Sequence, residues 1–90
     1  MIVEKKMIIQ HKQGLHARPA ALFVQIANKY ESSVSVRKGT QEVNGKSIMG
    51  ILMLAAEPGS QIYIRAEGND AKKAVEELEK LILGELDNKK

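Results

Sequence analysis

The chain contains no cysteine. That excludes a disulfide scaffold, a zinc–thiolate site and thiol chemistry, and it fits a reducing compartment. Long apolar runs are missing too. The longest, Ile48 to Ala56, is interrupted by Gly50 and falls far short of the about 20 residues that a membrane-crossing helix needs. No long apolar stretch follows Met1-Ile2-Val3-Glu4-Lys5-Lys6, so the start has no signal-peptide layout. Tryptophan is absent, and Tyr63 is the only aromatic expected on a strand. Small nucleic-acid modules usually stack bases on strand aromatics, so that class is disfavoured. There is no internal repeat, no low-complexity tract and no P-loop. His11 and His16 have no third ligand near them in sequence, which argues against a metal site. These absences lead to the expectation of a soluble, cytoplasmic protein with no membrane insertion, cofactor or metal.

What is present is an ordinary globular composition. With 90 residues and 43% apolar content, residues 1–90 are expected to form a single domain that buries roughly 60–65% of its unfolded surface. The 14 basic and 11 acidic residues leave a net charge of +3 and are well mixed apart from Lys89-Lys90. Such a balance is too weak for a nucleic-acid footprint and compatible with acidic protein partners.

Periodicity divides the chain into seven elements. Met7 to Ile9 begins a first strand, with Met7 and Ile9 on one face. A polar loop from Gln10 to Gly14 follows. Leu22, Phe23, Ile26, Ala27 and Tyr30 share one helical stripe, and Pro19 suits the first turn of that helix. Val34 and Val36 alternate with Ser33, Ser35 and Arg37 in a half-buried strand. Lys38-Gly39-Thr40 turns the chain into a return strand from Gln41 to Asn44. Ser47 to Leu54 reads as a short helix capped by Ser47, although its apolar run alone also allows a strand. Glu57-Pro58-Gly59-Ser60 breaks it. Ile62, Ile64 and Ala66 alternate with Gln61, Tyr63, Arg65 and Glu67. Gly68-Asn69-Asp70 starts a last helix with the stripe Ala71, Ala74, Val75, Leu78, Leu81 and Ile82, stopped at Gly84. The order is βαββαβα. It implies an α+β fold with a four-stranded antiparallel sheet and three helices on one face.

Two segments carry chemistry. In Gly14-Leu15-His16-Ala17-Arg18-Pro19-Ala20 a histidine stands where a glycine-containing loop enters a helix. The first turn of a helix offers unpaired N–H groups and partial positive charge, a ready place for a phosphate-like anion. Arg18 can add charge-assisted hydrogen bonds to phosphoryl oxygens. The same dipole favours the neutral imidazole, the form with a free lone pair that a phosphoryl acceptor requires. From the residues alone, His16 as a surface or capping group stands beside His16 as an acceptor. His11, with no arginine or cap nearby, is read as a solvated surface residue.

In Asn44-Gly45-Lys46-Ser47-Ile48-Met49-Gly50, Ser47 is placed as a helix N-cap with the charge of Lys46 beside it. A phosphate on Ser47 would add about −1.5 to −2 charges there without unfolding the helix. An ordinary cap is the alternative. Ile51 and Leu54 are expected to face the core, which leaves Ile48, Met49 and Leu52 partly exposed as a surface able to meet several partners. Complete burial of all of them is the competing reading.

Together the two segments, about thirty residues apart, resemble the active-site and regulatory-serine signatures of the HPr family of the bacterial sugar phosphotransferase system (PTS). The resemblance implies the family's open-faced β-sandwich and a stoichiometric phosphocarrier rather than an enzyme. It implies that His16 takes phosphate on Nδ1, the pros nitrogen, from phosphorylated enzyme I and delivers it to enzyme II A domains, with Arg18 neutralising the phosphoryl group. Ser47 would be the target of an HPr kinase/phosphorylase, and its phosphorylation would favour a catabolite-control transcription factor. Ala17, Ala21, Ile48, Met49 and Leu52 match the shared partner surface, and a monomer is the family default. Gln13 before Gly14 and the stretch Leu54-Ala55-Ala56-Glu57-Pro58 depart from the family pattern. A mainly regulatory HPr-like role through Ser47 is the alternative within the family; a small nucleic-acid-binding α/β module is the alternative outside it.

Overall fold

The computed structural model describes residues 1–10, 17–54 and 56–83, with Ala17 described by its backbone alone. Seven elements follow in the expected order: β1 (Ile2–Ile8), α1 (Ala17–Ala27), β2 (Ser33–Lys38), β3 (Gln41–Asn44), α2 (Ile48–Leu54), β4 (Gln61–Glu67) and α3 (Ala71–Ile82). The strands form one antiparallel sheet in the order β1-β4-β2-β3. The last strand in sequence is therefore inserted between the first two.

The register explains the buried face. Ile64 of β4 lies between Lys5 of β1 and Val36 of β2, Ala66 lies between Val3 and Val34, and Ile62 faces Met7. Successive side chains of a strand point to opposite faces, so Ile62, Ile64, Ala66, Val34, Val36 and Met7 make one apolar floor, and all are buried. The helices cover it. α3 lies over β1 and β4, α2 over β3 and β2, and α1 packs against both α2 and α3. Phe23 of α1, Ile51 and Leu54 of α2, and Leu78 and Leu81 of α3 are the large side chains that fill the space between. The opposite face carries Tyr63, Arg65, Arg37 and Glu4, and none of the described helices covers it.

Two expectations about element ends are corrected. β1 starts at Ile2, well before Met7. Glu4-Lys5-Lys6 hides it from a hydrophobic pattern, because β1 is an edge strand paired on one side only. Lys5 points to the helix side yet stays at the rim, where its ammonium reaches Glu79 of α3 at 2.9 Å. Lysine in an edge strand also discourages pairing with another chain. Tyr30, assigned to the α1 stripe, lies beyond the helix. α1 closes at Ala27, where the side-chain amide and the N–H of Asn28 both donate to the carbonyl of Val24. Tyr30 then turns toward α3 and its hydroxyl donates to Glu77. The expected stop at Gly84 lies outside the described residues.

Asp70 stands at the N-cap position of α3 but makes no side-chain cap bond. Its carboxylate is turned toward the loop between α1 and β2, where it accepts from the N–H of Glu31 and of Ser32, each at 3.0 Å, and from the Ser32 hydroxyl. Ser32 is the only buried polar side chain among the described residues, and Asp70 satisfies it. About two turns further along α3, Glu77 accepts from Tyr30 and from Lys29 at 2.6 Å. The loop is thus fastened to α3 at two points.

Both fastenings respond to pH. Hydrogen bonds from Ser32 and then from the Glu31 N–H hold the Asp70 carboxyl below its ordinary range. Lys29, then Tyr30, does the same for Glu77. The hydrogen bond to Glu77 lifts the Tyr30 phenol from 10.0 to about 12. A carboxyl lowered on folding contributes stability above its unfolded pKa of about 4, and that contribution is lost as pH falls through the folded value. A phenol raised on folding contributes below its unfolded pKa of about 10, and that contribution is lost as pH rises through the folded value. Thermal unfolding followed between about pH 5 and pH 2.5 is therefore expected to show a steeper fall in melting temperature for the parent than for Asp70→Asn or Glu77→Gln. Parallel curves would remove these carboxylates from the acid response.

Candidate functional site

The two signature segments lead into neighbouring helices. His16 and His11 lie outside the described residues, as does the side chain of Ala17. The structure takes up the first segment at the opening turn of α1. Arg18 is exposed there, Pro19 is buried and Ala20 is fully buried. Pro19 lacks an N–H, but at this position the helix has no carbonyl for one to meet. No acidic residue stands in the first turn, so the positive end of the helix is not neutralised from within it. Ala21 is half-buried.

α2 begins as its serine dictates. The Ser47 hydroxyl accepts from the N–H of Gly50 at 3.1 Å, and the Ser47 carbonyl accepts from the N–H of Ile51 at 3.0 Å. Ser47 is thus the N-cap, and the competing strand reading is excluded. Such a cap contributes about 1 kcal/mol. The Ser47→Ala protein is expected to lose about 0.5–2 kcal/mol in urea unfolding, with Ser47→Asp retaining most of it because a carboxylate also caps. Equal losses in the two variants would count against the cap.

Lys46 was expected to bring charge beside Ser47. Its ammonium donates to the carbonyl of Tyr30 at 2.7 Å, while its N–H donates to the side chain of Asn44 at 2.8 Å. It therefore links the β3–α2 corner to the loop after α1.

The apolar residues of α2 divide cleanly. Ile51 and Leu54 are buried, as expected, and Gly50 lies so close to β3 that an added Cβ would be 3.2 Å from the Asn44 carbonyl oxygen and from Val43 Cβ. On the outward side Ile48 is 39% exposed, Met49 63%, Leu52 38% and Met53 64%. Complete burial of this set is excluded. Met53 belongs to the outward face and was missed in the sequence reading, although its position four residues after Met49 places it there on a helix.

Other features of the surface are less suited to a ligand. A groove of about 320 Å³ is lined by Tyr30, Lys73, Glu76, Glu77 and Lys80. Its two lysines and two glutamates balance, and Tyr30 and Glu77 already bond to each other. On the uncovered face of the sheet, the Arg37 guanidinium lies 4.2 Å from the ring centre of Tyr63 and 3.8 Å from Glu4. The only strand aromatic is thus already stacked by an arginine. Among the described residues no group of acidic or imidazole side chains could hold a metal ion, and no helix is long and apolar enough to cross a membrane.

Comparison with known proteins bears on these two segments. The family model described as the PTS HPr component phosphorylation site matches residues 3–83. The HPr-like protein Crh of Halalkalibacterium halodurans is 49% identical over 77 residues, 86% of this chain and 92% of that protein. The phosphocarrier protein HPr of Xylella fastidiosa is 40% identical over 80 residues, 89% of this chain and 90% of that protein. Among solved structures, HPr-C-His from Thermoanaerobacter tengcongensis superimposes with a TM-score of 0.91 at 43% identity, covering 98% of this chain and 99% of that one. A second structure from that organism is an HPr dimer, with a TM-score of 0.73 at 47% identity, covering 87% of this chain and 90% of that one.

Proposed function

From a chain that belongs to the HPr family of phosphocarrier proteins, we propose a carrier that takes a phosphoryl group from phosphorylated enzyme I onto His16 and delivers it to enzyme II A domains. The Nδ1 lone pair of neutral His16 forms the new N–P bond as the bond from phosphorus to the donor breaks. Delivery is the same step in reverse, with the acceptor's nucleophile displacing the imidazole. Arg18 pairs with the phosphoryl oxygens, and the N–H groups of the first turn of α1 favour the added negative charge. The partners supply the catalysis, and this chain is a co-substrate.

The observation that carries this reading is the outward face of α2. A seven-residue helix that leaves Ile48, Met49 and Leu52 in solvent, packed beside the helix that follows His16, gives donor and acceptors a common apolar surface. Family resemblance adds Ala17 and Ala21 to the partner surface, and Ala21 is half-buried on α1. Residues 1–90 act as one domain, as a monomer and in the cytoplasm.

A mainly regulatory role is the second reading, favoured by the half-buried Ser47 cap beside the exposed Ile48 and Met49 and by the similarity to Crh. An HPr kinase/phosphorylase would place phosphate on Ser47. The added charge of about −1.5 to −2 beside the α2 face would oppose acidic partners and favour a catabolite-control transcription factor.

Incubation with phosphoenolpyruvate and a bacterial enzyme I, followed by intact-mass measurement before and after mild acid, separates the two. One acid-labile phosphate is expected. No uptake, with an enzyme I that phosphorylates another HPr in the same buffer, would overturn the carrier reading and leave ATP-dependent modification of Ser47.

A further inference from the structure

We propose that Met49 and Met53 are a peroxide-sensitive modification site, at which oxidation to the sulfoxide withdraws the α2 face from enzyme I. The docking half of this proposal rests on the carrier reading above; the chemical half does not.

The chain has four methionines, and the structure sorts them. Met7 is 5% exposed in the core, whereas Met49 and Met53 are 63% and 64% exposed. They stand one helical turn apart on the outward face of α2, so their thioethers are neighbours. Between and beside them are Ile48 and Leu52, which peroxide does not attack. Met1 is also exposed, at 70%, but it precedes β1 and is not part of α2.

The step is a two-electron oxidation. A sulfur lone pair attacks one oxygen of hydrogen peroxide, the S–O bond forms as the O–O bond breaks, and the second oxygen leaves as water after a proton shift. Sulfur is oxidised and peroxide is reduced. The product replaces an adaptable apolar side chain with a polar one carrying a strong hydrogen-bond acceptor. Two such oxygens side by side stay hydrated, and an apolar partner surface offers no donor to replace that water. Neither side chain supports the core, since the helix is held by Ile51, Leu54 and the Ser47 cap. Oxidation therefore alters docking without unfolding the protein.

The test treats the full chain with hydrogen peroxide, maps the added oxygen by peptide mass, and measures KM for the chain as substrate of enzyme I before and after treatment. Met49→Leu/Met53→Leu is run beside the parent, each compared with its own untreated rate, because leucine keeps apolar volume but has no sulfur. Oxygen is expected on Met49 and Met53 well before Met7, with KM of the parent raised about tenfold, the loss of about 1.4 kcal/mol of docking, and an unchanged helical circular dichroism signal. The double variant is expected to keep its own KM after treatment even though Met1 is oxidised in it. Oxidation of Met7 as fast as Met49 and Met53, an unchanged KM in the oxidised parent, or an equal rise in the double variant would each overturn the proposal. Should the untreated chain accept no phosphate, the carrier reading falls and the docking half with it, while the order of oxidation among Met7, Met49 and Met53 still decides the chemical half.

Discussion

The His16→Ala protein is expected to take up no acid-labile phosphate from phosphoenolpyruvate and enzyme I, at any incubation time, while its unfolding remains cooperative. Carriage through a covalent bond is all or none. An N–P bond needs a ring nitrogen with a free lone pair, and alanine supplies no nucleophile. The effect is therefore loss to background rather than a slower rate. The chain contains two histidines, so His11 is the one other imidazole that could accept. His11→Ala is expected to keep the full phosphate signal. Uptake that survives His16→Ala and disappears when His11→Ala is added would move the acceptor to His11, and uptake in both single variants and in the double variant would remove histidine chemistry altogether.

The largest effect on stability is expected at Gly68. Its φ of 151° lies where side chains are rarely accommodated, and the space a Cβ would need is already filled. A methyl there would sit 2.4 Å from Ser32 Oγ, 2.7 Å from Ser32 Cα and 2.9 Å from Ser32 Cβ. Two of these atoms cannot be relieved by rotating a side chain, and Ser32 is itself held by Asp70. Backbone strain of about 1–3 kcal/mol and overpacking of about 1–3 kcal/mol together give roughly 2–6 kcal/mol for Gly68→Ala, a large share of the stability of a small domain. Gly39 is the control. Its φ is 62°, but nothing lies within 4 Å of the added Cβ, so Gly39→Ala should cost only the left-handed penalty of about 1–2 kcal/mol. Urea unfolding of the two variants compares them directly. Equal losses would show that the approach of Ser32 to Gly68 contributes nothing.

The sequence made β2, β4 and α3 legible because each buries one face and exposes the other, so its period survives in the residue pattern; β3, with no buried residue, was legible only through the Lys38-Gly39-Thr40 turn before it. β1 was half hidden for the opposite reason: an edge strand needs few apolar residues, and Glu4-Lys5-Lys6 reads as polar chain. The stripe of α1 was legible through Ala27. Tyr30 fitted the same period, but the capping amide of Asn28 and the pull of Glu77 are interactions with no periodic signature. Asp70 was recognised by position and not by role, since its partners Glu31 and Ser32 come from the other half of the chain. At the candidate site, the Ser47 cap and the division of α2 into inward and outward residues were readable from spacing. The bond from Lys46 to the Tyr30 carbonyl was not, because no spacing rule connects a lysine to a backbone carbonyl across the fold. The candidate acceptor segment around His16 was read from local chemistry and family resemblance, and the structure adds the helix that follows it.

The order of strands also governs when the fold can exist. β1 and β2 are not paired with each other; β4 has to come between them before β1 can join the sheet. As the chain leaves the ribosome, the β2–β3 hairpin and its contacts with α2 and α1 can form, but the four-stranded sheet cannot until residue 67 has emerged. The apolar floor stays uncovered until α3 follows. Long-range pairing of this kind is slow relative to helix and hairpin formation. A nascent chain arrested before β4 should therefore be protease-sensitive, and assembly should be completed in one late step, once β4 and α3 are both available.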